Sequence, residues 1–135
     1  MAVLLCLTGL VMTGETQAQR LVDNGDGTVT DTMTNLMWTQ NPNPFGKLNW
    51  YDAMTRCRSF SISGIGDWRL PRKDELVALS DAMRGGHPFT GFQSSFYWSA
   101  TRHAGISGYA WSVVMSCGLE HGHFMVSPSH VWCVR

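Results

Sequence analysis

Gly66-Asp67-Trp68-Arg69-Leu70-Pro71 runs directly into residues 72–83, and this junction organises the chain. Proline suits a first helical turn, where its missing N–H would have no partner anyway. Asp74 and Glu75 follow and complement the positive end of a helix dipole. Leu76, Leu79 and Met83, supported by Val77, supply an apolar stripe, and Gly85-Gly86 ends it. Arg72 stands where a short polar cap is preferred, at a cost of about 1 kcal/mol or less. A helix is therefore expected from near Pro71 to Met83.

On the N-terminal side, Asn49 is a good helix cap with Asp52 three residues on, and Trp50, Ala53, Met54 and Cys57 follow at helical spacing. Asn41-Pro42-Asn43-Pro44 reads as loop, since neither proline suits a ladder. Residues 35–39 read as a strand. Leu21-Val22-Asp23 and Thr28-Val29-Thr30 flank Asn24-Gly25-Asp26-Gly27, a hairpin turn by its Asn-Gly and Asp-Gly pairs. The same stretch fails as a calcium loop, because the alternate positions after Asp23 are Gly25 and Gly27. On the C-terminal side, 59–66 and most of 87–96 read as irregular. Strands are expected over 96–101, 109–115, 119–126 and 131–135. In the second of these, Tyr109, Trp111, Val113 and Met115 alternate with Ala110, Ser112 and Val114, the period of a half-buried strand.

A chain of 135 residues accommodates one domain. Its formal net charge is zero and only 15% of residues are charged, which excludes the electrostatic footprint of a nucleic-acid binder. Residues 2–12 form an apolar run of signal-peptide length, too short to span a bilayer, and Thr16-Gln17-Ala18 offers a cleavage site. Residues 1–18 are therefore expected to be a signal peptide, and 19–135 a secreted or periplasmic domain of the cell envelope without a transmembrane segment. Cys6 would leave with the leader. Cys57, Cys117 and Cys133 would remain, an odd number in an oxidising compartment: one pair and a spare, or an intermolecular bond.

Taken in order, these elements resemble the Lcl C-terminal domain family, named for the end domain of a bacterial collagen-like adhesin. The resemblance rests on residues 23–31, Leu36-Met37-Trp38, Trp50-x-x-Ala53-x-x-x-Cys57 and residues 66–71. It continues through Tyr97-Trp98-Ser99-Ala100-Thr101, Ala110-Trp111-Ser112-Val113 and Cys133-Val134-Arg135. It implies an α+β, C-type-lectin-like fold with two helices flanking a twisted antiparallel sheet, and chain ends that meet. It also implies a disulfide between Cys57 and Cys133, leaving Cys117 as a free thiol. By the same resemblance the function is a non-catalytic adhesion or binding module for a polysaccharide, a glycosaminoglycan or an envelope protein. The adhesin domain is associated with sulfated glycosaminoglycans, but the neutral charge here argues against that ligand. The alternative is a structural or assembly domain with a protein partner. A Trp-Arg-Leu-Pro run also occurs in the formylglycine-generating sulfatase-modifying family, whose oxidoreductase chemistry needs paired cysteines in a groove. Here the pair is required as a staple, so no enzyme activity is expected.

Among individual residues, Trp38, Trp50, Trp68, Trp98 and Trp111 are expected in the core, and Trp132 is the tryptophan expected to make an exposed contact. Arg69, Arg72 and Lys73 are the candidate ligand-binding cations, with Arg56 and Arg58 adding to the local basic concentration. Arg69 is expected chiefly to clamp neighbouring loop groups. His121 and His123 would share one face of a strand, the start of a zinc or copper site. Without a fixed third ligand they do not complete one, so no metal and no cofactor is expected. Calcium-dependent sugar binding is not expected either: Asn41-Pro42-Asn43 precedes the first helix, and the stretch 102–108 is short.

Overall fold

The computed structural model describes residues 19–135; the expected signal peptide, 1–18, lies outside the described residues. Strand β1 (Leu21–Asp23) turns back into β2 (Thr28–Asp31), which pairs antiparallel with β3 (Leu36–Thr39) to make a three-stranded sheet. The turn depends on its glycines: Gly27 has φ +90°, a left-handed value costly for any residue with a Cβ. Two helices follow. The first, α1 (Trp50–Arg58), is capped by Asn49, whose side-chain oxygen accepts from the Asp52 N–H at 2.9 Å. The second, α2 (Lys73–Met83), follows the Gly66–Pro71 junction as its composition predicts.

A five-stranded sheet carries the rest. Its members are β4 (Lys47–Leu48), β5 (Phe96–Arg102), β6 (Tyr109–Val114), β7 (Leu119–Phe124) and β8 (Ser129–His130), in the order β4-β8-β5-β6-β7. Pairing is antiparallel except between β5 and β8. The class is therefore α+β, with the strands divided between two sheets.

Alternation along β5 divides the core in two. Tyr97, with Val113 and Met115, packs with Leu76, Leu79, Ala82 and Met83 of α2. Trp98, with Ala110, packs with Trp50, Ala53 and Cys57 of α1. Neighbouring side chains of a strand point to opposite faces, so the two helices lie on opposite sides of this sheet. The central strand β6 is thus covered on both faces toward its end, and Ser112 is fully buried with its hydroxyl donating to the His121 carbonyl at 3.0 Å. Tyr109 and Trp111, partly buried, alternate with buried Ala110 and Ser112 as the period of two implied, and only Val113 and Val114 at the end of the strand are buried on both faces.

The chain end differs from expectation. Residues 131–135 are not a regular strand. They run extended between β3 and the Trp68–Leu70 backbone: Arg69 and Val134 exchange N–H and carbonyl at 2.9 Å in both directions, and Met37 and Arg135 do so at 2.7 and 2.8 Å. Val131 and Cys133 point into the α1 core, Trp132 and Val134 into the α2 core, and all four are fully buried. The segment is a shared wall between the two halves of the interior.

Cys57 and Cys133 form the implied disulfide, with Cα atoms 5.5 Å apart and a sequence separation of 76. Cys117 requires a correction. It is not a free thiol: no described cysteine is free, and Cys117 is itself disulfide-bonded. The resemblance supplied a pairing for Cys57 and Cys133 only, which is why Cys117 was left over.

Candidate functional site

The Gly66–Pro71 junction builds a fixed corner at the start of α2. Asp67 takes φ +63°, which turns the chain so that Trp68 and Leu70 enter the core while Arg69 points along the surface. Arg69 meets Glu75 with two parallel bonds, Nη1 to Oε1 at 2.7 Å and Nη2 to Oε2 at 2.8 Å. Glu75 also accepts the Arg72 backbone N–H at 2.8 Å and so closes the helix start. Arginine has no acceptor to complete a reciprocal cap, so this half is the one that acts. Burial works to raise the Glu75 pKa, but the Arg69 hydrogen bonds, the Arg72 N–H and both positive charges outweigh it and hold the carboxyl below its ordinary value. Arg69 is therefore a clamp, and its carboxylate partner is Glu75 rather than the adjacent Asp67.

The other candidate cations are also engaged. Arg72 lies 3.3 Å from Asp74 and 3.6 Å from Glu75. Lys73 lies 3.3 Å from Glu120 and 4.5 Å from the centre of the Trp111 ring. Arg56 and Arg58 belong to α1, on the other side of the sheet, with Arg56 against Phe45. The basic concentration seen in sequence is thus split between two faces and largely neutralised by neighbouring acids.

The tryptophan assignments exchange. Trp132 was expected outside and is fully buried, with Nε1 donating to the Thr39 carbonyl at 3.0 Å and Phe89 edge-on at 4.7 Å. Its place on a segment walled by both cores leaves it no solvent side. Trp111 was expected inside and is half-buried. The reason is the reach of α2. The helix covers Val113 and Met115, but it begins at Lys73, which sits over Trp111. The rest of that sheet face remains open.

This open face is the candidate site. Tyr109 and Phe124 stand opposite each other on β6 and β7, their rings 5.5 Å apart, with Phe124 48% exposed. Ile106, in the β5–β6 turn, is 47% exposed. His103 stacks on Trp111 at 4.6 Å, and its Nδ1 accepts from the Gly105 and Ile106 N–H groups at 3.1 Å each. Two acceptor bonds at Nδ1 place the imidazole proton on Nε2. A stacked ring and an ammonium this close to one centroid leave Trp111 mainly its edge for contact. Tyr109 and Phe124 are the rings with surface to offer, beside the Lys73–Glu120 pair. Sequence reasoning missed this group because its alternation with Val113 and Met115 reads as continuous core.

His121 and His123 lie on the opposite face of β7, with ring centres 6.1 Å apart. Among the described residues no group of three or more His, Cys, Asp or Glu side chains is assembled for a metal. Two shallow depressions lie on the surface of the described residues, outside the aromatic face. One, of about 360 Å³, is lined by Asp74, Asp81, Arg84 and Gly118 beside Cys117; the other, of about 370 Å³, is lined by Leu48, Asp52, Thr55 and Arg56. Among the described residues no helix is long and apolar enough to cross a membrane.

Residues 27–135 match the family model described as the Lcl C-terminal domain. No curated protein matches the chain.

Proposed function

From the membership of this chain in the Lcl C-terminal domain family, we propose that it is a non-catalytic binding module of the bacterial surface or envelope, with the C-type-lectin-like architecture of that family. Its ligand, a polysaccharide or a protein, would lie on the open face of β6 and β7. The observation that carries this reading is the pair Tyr109 and Phe124, presented to solvent beside Lys73–Glu120 where α2 stops short. Aromatic rings of this kind offer a large apolar surface at low entropic cost, with a polar edge in Tyr. The pairing of Lys73 with Glu120, and of Arg69 and Arg72 with Glu75, favours a weakly charged ligand over a sulfated glycosaminoglycan.

Two observations favour binding over catalysis. Cys57 and Cys133 are joined and fully buried, so they are not an accessible pair of the sulfatase-modifying kind. Arg69 is committed to Glu75. A glycan array with the folded domain tests the reading: retention of a sugar chain that Phe124→Ala and Tyr109→Ala each weaken about tenfold, with unchanged melting temperature, supports it. No retained glycan, with a partner captured through the same two rings, would make this a protein-assembly domain, the second reading that the exposed Ile106 favours. Oxygen consumption with a cysteine-containing peptide would indicate an oxidoreductase and overturn the non-catalytic reading.

A further inference from the structure

We propose that His121 and His123 form a two-imidazole chelate for a borderline divalent transition metal, on the face of β7 opposite the aromatic site. The site is independent of the ligand proposed above.

The placement begins with strand geometry. Residues two apart on a strand share a face, and Gly122 between them turns toward the other one, under His103. Across from the histidines, β6 carries Ser112 and Ala110, both fully buried. These small residues let aromatic rings from β5 reach across the intervening strand. Phe96 lies 4.9 Å from the His121 ring and 5.8 Å from the His123 ring, and Trp98 meets His123 edge-on at 5.0 Å. The imidazoles are thereby held against a rigid aromatic floor, while β7, the edge strand of its sheet, leaves His121 exposed to solvent.

The separation suits one ion between the two rings. Nitrogen–metal bonds of about 2.0–2.1 Å put two coordinated imidazole centres roughly 4.5–6.5 Å apart, depending on the angle at the metal. The observed 6.1 Å lies inside that range. Imidazole nitrogens prefer copper, nickel and zinc, whereas calcium and magnesium require oxygen. With no third protein ligand among the described residues, water completes the shell and the ion exchanges readily.

Titrating the tag-free domain with Cu²⁺, Zn²⁺ and Ca²⁺ tests this. One bound Cu²⁺ per chain is expected, tighter than Zn²⁺, with no response to Ca²⁺. Because Trp98 touches His123, Cu²⁺ is also expected to quench tryptophan emission. His121→Ala and His123→Ala should each weaken Cu²⁺ at least tenfold, with melting temperature in metal-free buffer as the control for folding. His123→Gln replaces His123→Ala if the latter unfolds. His103→Ala and His87→Ala should leave binding intact. Undiminished Cu²⁺ affinity in a folded His121→Ala variant, or no saturable Cu²⁺ binding by the parent, would overturn the proposal.

Discussion

Glu75 shows how one residue can hold two neighbouring structures. It is 6% exposed, receives both arms of Arg69, and caps the backbone of Arg72. Glu75→Gln keeps the size and one acceptor but loses the charge. Hydrogen bonds to charged groups contribute about 1.5–3 kcal/mol each, and the partly exposed Arg69 places this loss toward the lower end. The expected destabilisation is about 1–2 kcal/mol at neutral pH by urea denaturation. The folded carboxyl titrates below its ordinary 4.5, so the unfolded chain binds the proton first. The stabilisation is fully present above that pH and is lost as pH falls through the lowered folded value. The gap between parent and variant should therefore narrow in acid; a gap that stays constant from neutral pH down to full protonation would refute the role.

Among the elements, the hairpins and both helix starts follow from local chemistry, and their bounds were legible within a residue or two. The N-terminal hairpin allows a separable test. Gly25 and Gly27 both need positive φ, at +78° and +90°, but a Cβ at Gly25 meets nothing within 4 Å. A Cβ at Gly27 would lie 2.5 Å from Cδ1 of Ile62, so that side chain must move. Gly25→Ala should cost about 1–2 kcal/mol, the left-handed backbone term alone. Gly27→Ala should cost more, because Ile62 is displaced from the α1 core as well. Equal urea midpoints for the two variants would show that the hairpin does not rest on that loop. The last segment was less legible. Val131-Trp132-Cys133-Val134 has strand-like composition, yet its partners are β3 and the Trp68–Leu70 backbone, far apart in sequence.

At the scale of the molecule, the Cys57–Cys133 bond ties α1 to the wall between the cores. A closed loop of this size stabilises by about 4–5 kcal/mol on the chain-entropy model. Cys57→Ala/Cys133→Ala should therefore lower the melting temperature by on the order of 10–20 °C. A loss of only a few degrees would mean that the buried wall alone holds the halves together. What the sequence by itself determined was local or carried by family pattern: helix starts, turns, the α+β class, the family, and the identity of the paired cysteines. Caps, periodicity and turn residues act over a few positions, so they are visible without a fold. Only the tertiary structure decided that Trp132 is inside while Trp111 reaches the surface, that Arg69 belongs to Glu75, and that Cys117 is oxidised. Burial on a strand depends on what covers each face, and here that is set by where α2 begins and where the distant chain end is threaded.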